Sequence, residues 1–573
     1  MKDVKNPVKQ RKILVASYIT ITLNLFCFVL GILYISNPTY SILWDIYGVI
    51  LALSIFENLL YIYLNLHKRN ILRAKTQLIS YGFLLLIIIA VPCMMSGNLL
   101  LSSIYSNELS DTIGAYLLTY FSYFGILFYG LSFAVYNIIA LIHFDFSHSK
   151  QILFAINTKK FTKAKRISRK ILIIFSRITF IIGICFAFVI IFGSFEIVTT
   201  FIAILSGQFG VFFSIIFLAN TILLLKLKGR KRTTKKYYRT TIIGIFVSGC
   251  LLMPLIMTNL TIFNAKISFA NAFGDDWEDR IPSSINRYFL KTPFSLTGYF
   301  LGTPPKDCKI EKNTLFYNEN GIKLYFDAYM PSNGGNSLPG ENSVIIRIHG
   351  GSWVSGDKGM MNMMQMNKYF AAQGYVVFDI QYGLDSNPLF ELDPLTPDYN
   401  KGHFNIDDMM CHIGAFTNYL SIHADEYSAN INSVFVSGGS AGGHLATAIA
   451  LAISSGNYTD IFGDSLMIRG LVPFYPANGQ MVFFGISGST EFTNPENLID
   501  ENSPPCLIFQ GTHDILNYFS ISENIRDTYL AKGNEECAIL WMPMGGHLSD
   551  LYFSGYYNQI FLYFMERFLY LYH

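Results

Sequence analysis

Seven apolar runs fill the first 263 of the 573 residues, near 13–36, 41–66, 77–96, 113–142, 171–192, 199–225 and 241–263. About 20 apolar residues cross a bilayer as a helix. Such a density of long runs predicts an α-helical membrane bundle of about seven spans. Composition agrees: charged residues make up 14% of the chain, against about 25% in a typical soluble domain.

Charge sorts the loops between the runs. Lys2, Lys5, Lys9, Arg11 and Lys12 precede the first run, and Lys68, Arg69, Arg73 and Lys75 follow the second. Residues 150–170 carry eight Lys or Arg after the fourth, and residues 226–239 carry eight around the end of the sixth. The other three loops carry none and include Glu108, Asp111 and Glu196. Basic loops remain cytosolic, so the alternation predicts a cytosolic N-terminus. An odd number of crossings then puts the C-terminal region outside the cytosol, at a cell exterior or in a lumen. Tyr34, Asn37 and Pro38 offer no small-x-small cleavage site, so the first run is expected to stay as an anchor. Glu57 and Arg177 fall inside runs, where charge is costly; an ion pair or interface snorkelling is expected.

Residues 1–263 hold 26 Lys and Arg against 7 Asp and Glu, and residues 264–573 hold 16 against 32. Basic charge confined to the loops of the apolar half argues for a membrane partner and against nucleic acid.

The pattern changes near residue 306. Short β-rich runs at 323–329, 344–348, 375–380, 433–437, 469–474, 507–510 and 538–542 alternate with helical stretches at 359–372, 404–423, 442–455, 520–532 and 550–570. Such alternation predicts a largely parallel sheet covered by helices. The expected division is a membrane domain over 1–263, a juxtamembrane linker or cap segment over 264–305, and an α/β domain over 306–573.

Three turns in that last region carry chemistry. Gly438-Gly439-Ser440-Ala441-Gly442-Gly443 follows the apolar strand at Val434–Val436 and precedes a helix, the context of a nucleophile elbow. His349-Gly350-Gly351-Ser352-Trp353 follows Val344–Ile348. Its free N–H groups at Gly350 and Gly351, with that of Ala441, suit an oxyanion hole, and His349 is expected to brace the loop. A serine needs a base and the base an orienting acid, in the order Ser, acid, His. Gly511-Thr512-His513-Asp514 supplies Asp514, and Gly545-Gly546-His547 supplies His547. His513 precedes the acid and is expected to point away; His444 is expected to pack locally.

These motifs, in order and spacing, make residues 306–573 resemble the α/β-hydrolase superfamily, esterase/lipase branch, which includes hormone-sensitive-lipase-like and carboxylesterase-like enzymes. The resemblance implies an α/β-hydrolase domain that hydrolyses carboxylic esters through a Ser440–His547–Asp514 triad and an acyl-enzyme. Ser352 stands where many relatives have a third glycine. The resemblance covers under half the chain and leaves the seven spans without an assigned role. No cofactor and no metal are expected; the expected partner is a small-molecule, lipid or glycan ester. Alternatives on the same triad are a prolyl-oligopeptidase-type peptidase, for which no propeller repeat is present, and an acyltransferase. A non-catalytic seven-span receptor or adaptor is the remaining one.

Two further features bear on the site. Met481, Val482, Phe483 and Phe484 form an apolar patch in an otherwise polar loop, readable as an acyl-binding lid or as core contact. Cys506 and Cys537 begin strands that are candidates for neighbours.

Overall fold

The computed structural model describes residues 7–38, 42–65, 72–105, 108–146, 161–228, 234–319, 321–360, 362–386 and 396–573. Lys2, Lys5, Lys68, Arg69, Lys150, Lys159, Lys160, Arg230, Lys231 and Arg232 lie outside the described residues.

Long apolar runs leave helix as the way to pair every backbone polar group in lipid. They form α1 (Pro7–Ser36), α2 (Ile42–Asn65), α3 (Leu72–Ser102), α4 (Leu109–Phe146), α5 (Phe161–Phe192), α6 (Ile197–Gln208), α7 (Gly210–Lys228), α8 (Lys235–Ile256) and α9 (Thr258–Phe273). Among the described residues, seven segments are long and apolar enough to cross a membrane, the last spanning α8 and α9 together. Their outward faces expose Leu53, Ile89, Phe121, Ile181 and Phe246, as lipid-facing surfaces do.

One expectation for the bundle is corrected and one is narrowed. The run at 199–225 is not one helix. It breaks at Phe209 into α6 and α7, within Ser206-Gly207-Gln208-Phe209-Gly210, where two glycines weaken the helix. The part long and apolar enough to cross is Gly210–Lys228, and α6 is a separate short apolar helix. Glu57 and Arg177 do not pair. Glu57 Oε1 accepts the Thr20 hydroxyl at 2.8 Å, and Arg177 stands exposed on α5.

The junction carries α10 (Ser283–Asn286) and α11 (Leu296–Leu301). The remaining chain forms, in order, β1 (Lys309–Glu319), β2 (Ile322–Met330), β3 (Ser343–Ile348), α12 (Met363–Ala371), β4 (Val376–Ile380), β5 (Leu384–Asp385), β6 (Lys401–Gly402), α13 (Ile406–His423), β7 (Asn430–Gly439), α14 (Ala441–Ser455), α15 (Thr459–Phe462), β8 (Ile468–Phe474), α16 (Thr490–Thr493), β9 (Cys506–Gly511), α17 (Phe519–Ala531), β10 (Cys537–Met542) and α18 (Tyr556–Tyr572). Eight strands form one sheet in the order β1-β2-β4-β3-β7-β8-β9-β10. β1 and β2 pair antiparallel, as do β2 and β4, and the rest are parallel. β3 and β4, Val-, Ile- and Phe-rich, are buried along their whole length, as strands covered on both faces must be. Strand order reverses beside β3, between β4 and β7. That reversal opens a crevice at the carboxyl ends of β3 and β7, the usual ligand position in such sheets.

The two halves share one core. Tyr299 of α11 stacks on Phe212 of α7 at 4.9 Å between ring centroids and meets Tyr552 edge-on at 5.4 Å. On the other side Phe269 and Phe273 of α9 meet Phe564 and Phe568 of α18 at 5.3 and 5.1 Å. Aromatic pairs of this kind contribute about 0.5–1.5 kcal/mol each beyond their buried area. Polar contacts add to them: Tyr105 donates to Asp327 Oδ2 at 2.7 Å, and Lys368 to the Ile104 carbonyl at 2.6 Å. The α/β domain therefore sits on the end of the bundle formed by the loops that carry no Lys or Arg.

Candidate active site

The crevice gathers the three turns. β7 ends at Gly439, and Ser440 turns the chain into α14 at φ 58° and ψ −122°. A non-glycine residue holds such a backbone only where its surroundings over-determine it. Ser440 N donates to the Phe474 carbonyl at 3.0 Å, and Ser440 O accepts from His444 N at 3.0 Å. Space enforces the glycines: a Cβ at Gly438 would lie 2.3 Å from the Gly442 carbonyl oxygen, and one at Gly442 would lie 2.2 Å from that of Ile348. Gly442→Ala is accordingly expected to lose about 3 kcal/mol of stability, a large overpacking cost, seen as a lower thermal midpoint of the full chain.

The turn after β3 lies directly against the serine, since a Cβ at Gly350 would stand 3.3 Å from the Ser440 Cβ. Among the described residues, no hydrogen bond engages the N–H groups of Gly350, Gly351 or Ala441. Ala441 opens α14, so its N–H also carries the positive end of the helix dipole. His349 is fully buried. Its ring stacks on Tyr382 at 4.5 Å and its Nδ1 donates to the Gly350 carbonyl at 2.8 Å.

Asp514 follows β9 and His547 follows β10, neighbouring parallel strands. His547 Nδ1 donates to Asp514 Oδ2 at 2.8 Å. Asp514 Oδ1 accepts the N–H groups of Leu516 at 2.9 Å and Asn517 at 3.0 Å. Three donors thus fix the carboxylate, and the carboxylate fixes the imidazole by its Nδ1, which leaves Nε2 out of that contact. Ser440 Oγ and His547 are not hydrogen-bonded to each other in this structure. Resting contacts of this kind are often long and tighten when substrate binds. The hydroxyl instead receives Asn517 Nδ2 at 3.4 Å, and the same amide donates to the Tyr475 carbonyl at 2.5 Å. Asn517 escaped the sequence reading; three residues past the acid, it carries no pattern of its own.

The remaining histidines sort by contact. His513 turns toward the bundle: its carbonyl accepts the Ser194 hydroxyl at 2.9 Å. His444 accepts Trp353 Nε1 at 3.2 Å on Nδ1 and donates from Nε2 to the Phe492 carbonyl at 2.7 Å. It so ties the oxyanion turn, α14 and α16 together. Burial pushes His444 and His412 down to about 4. Below an ordinary value of 6.5 the unfolded chain takes up protons that these folded sites refuse. Stability is therefore expected to fall as pH drops from about 6.5 toward 4, each site contributing up to about 1.4 kcal/mol per pH unit. Thermal midpoints across that window check this, with a shallower fall for His444→Gln.

The apolar patch after β8 divides. Met481 is buried and Phe484 packs on Trp353 at 6.1 Å, while Val482 and Phe483 stay exposed at 65% and 77%. Glu391, Asp393 and Met361 lie outside the described residues. Cys506 and Cys537 are opposite each other in register, both buried and both free.

Sheet, elbow and turns form an α/β-hydrolase-like fold that follows a bundle of apolar helices. Residues 326–475 match the family model described as BD-FAE. Among curated proteins the chain is similar to Esterase LipC of Mycobacterium tuberculosis, 22% identical over 231 residues, which is 36% of this chain and 53% of that protein. The chain thus spans about half the length of the curated relative it matches. Among solved structures, apo Thermogutta terrifontis esterase 2 aligns at 19% identity and TM-score 0.35, over 46% of this chain and 91% of that one. Esterase B from Lactobacillus rhamnosis, inhibited by a tributyrin phosphonate, aligns at 22% and 0.34, over 43% and 80%.

Proposed function

We propose that this chain is a membrane-anchored serine hydrolase that cleaves carboxylic esters outside the cytosol. The observation that carries the reading is the 2.8 Å contact between His547 Nδ1 and Asp514 Oδ2, beside a serine at a strained strand–helix turn. Ser440 Oγ attacks the ester carbonyl as His547 Nε2 takes its proton. The N–H groups of Gly350, Gly351 and Ala441 hold the oxyanion. His547 returns the proton to the leaving alcohol, and the acyl group stays on Ser440. Water, activated by the same imidazole, then releases the acid, while Asp514 stabilises the imidazolium at each stage.

The basic loops support a cytosolic placing for the opposite end of the bundle, and so an outer one for the hydrolase. In this reading 1–263 anchor, 264–305 join, and 306–573 catalyse. The resemblance of residues 326–475 to BD-FAE and the likeness to Esterase LipC favour an ester over a peptide as substrate. The test is turnover by the purified full chain in detergent. Aryl esters of graded acyl length are expected to be hydrolysed and peptidyl anilides left intact. Cleavage of anilides alone would move the assignment to a peptidase.

A further inference from the structure

One short segment of the bundle, Gly193–Gln208, touches the loops of both the acid and the base. On the acid side, the Ser194 hydroxyl donates to the His513 carbonyl at 2.9 Å, one peptide before Asp514. On the base side, a Cβ at Gly546 would come within 2.9 Å of the Ala203 Cβ, and one at Gly207 within 3.2 Å of the Met544 carbonyl oxygen.

Gln208 closes this contact. It is fully buried. Its Nε2 donates to the Ile204 carbonyl at 2.7 Å and to the Leu548 carbonyl at 3.1 Å, and its Oε1 accepts the Tyr552 N–H at 2.8 Å. Leu548 follows His547 directly and stands at φ 56°, so its backbone needs an external hold. Two glycines precede His547, and they supply no side chains to stiffen the loop.

Resting on the assignment of Ser440, Asp514 and His547 above, we propose that Gln208 is a positioning residue for His547. By the same argument α6 and the turn before it are part of the catalytic scaffold. The hydrolase reaches full turnover only with this piece of the membrane domain seated. A misplacement of about 1 Å at a reacting group costs up to about 100-fold. Gln208→Leu, which removes donor and acceptor together, is therefore expected to lower kcat about 10- to 100-fold.

The experiment uses the full chain in detergent micelles with a soluble short-chain aryl ester. The expected result is a fall in kcat with KM changed less than about three-fold, and a parallel fall in the rate of fluorophosphonate labelling. Gln208→Glu keeps the acceptor for Tyr552 but loses the donor to the Leu548 carbonyl, and is expected to show a similar fall. Tyr105→Phe breaks a contact at the same domain interface, on a strand three places along the sheet from β7, and is expected to keep kcat within about two-fold. Unchanged kcat in Gln208→Leu overturns the proposal. So does an equal loss in Tyr105→Phe, which would mean that docking in general, not this contact, is being read. If Gln208→Leu does not fold, Ser194→Ala tests the acid side, and unchanged kcat there overturns the proposal. Ser440→Ala separates the two levels. Retained turnover in that variant sinks the triad assignment itself, whereas a dead Ser440→Ala beside a fully active Gln208→Leu sinks the positioning role alone.

Discussion

Ser440→Ala is expected to lower ester turnover by about four orders of magnitude or more, leaving only what binding and the oxyanion hole supply. The variant removes the one atom that can form the acyl-enzyme. It should do so without unfolding the chain. The elbow is held by backbone bonds, Ser440 N to Phe474 O and His444 N to Ser440 O, which alanine keeps. Among the described residues, the hydroxyl itself has a single long contact, from Asn517 at 3.4 Å. Thermal stability is therefore expected to stay within about 1 kcal/mol. Turnover and fluorophosphonate labelling, measured beside the thermal midpoint, check both halves. Turnover retained within about ten-fold would remove Ser440 from the mechanism.

Asp514→Asn is expected to reduce kcat about 10,000-fold. Its Oδ1 can still accept the Leu516 and Asn517 N–H groups, so the loop should keep its shape. The position facing His547 Nδ1 becomes an amide donor. The imidazole must then present its lone pair to that amide and its N–H to Ser440, which is the wrong tautomer for a base. The loss should therefore appear in kcat with little change in KM. A drop of less than about ten-fold would show that another group orients His547.

Much of the α/β half was legible in the sequence because each candidate site residue sits in a glycine-marked turn directly after an apolar strand. The turn geometry is local, and so is its signature. β2 to β4 and β7 to β10 stand close to where alternation and β-branched runs put them. β1 was missed. It is an edge strand, Lys309–Glu319, mostly exposed and studded with Lys309, Glu311, Lys312 and Glu319, so it has no buried face to write an alternating pattern. The break at Phe209 was missed because apolar composition continues across it. What ends α6 there includes tertiary contact: a Cβ at Gly210 would lie 2.3 Å from the Leu251 carbonyl oxygen. Glu57 found a hydroxyl on a neighbouring helix in place of the arginine offered by composition. Asn517 and Gln208 reach partners 77 and 340 residues away, and no window of sequence contains such a pair.

The arrangement joins the α/β domain to the bundle of apolar helices through a continuous core, not through a free linker. Residues 264–305 pack between the two, with Trp277 against Phe564 at 6.0 Å and Tyr299 between Phe212 and Tyr552. On the proposed reading, an anchor built this way would fix the height and orientation of the crevice above the bilayer.

The most direct measurement is labelling of the full chain in sealed membrane vesicles of known orientation with a membrane-impermeant fluorophosphonate, Ser440→Ala serving as control. The account predicts labelling of wild type, and not of Ser440→Ala, in vesicles that expose the extracytoplasmic face, with inverted vesicles protected until detergent is added. Labelling confined to inverted vesicles would contradict the topology, and no labelling even in detergent would contradict the activated serine at the centre of the account.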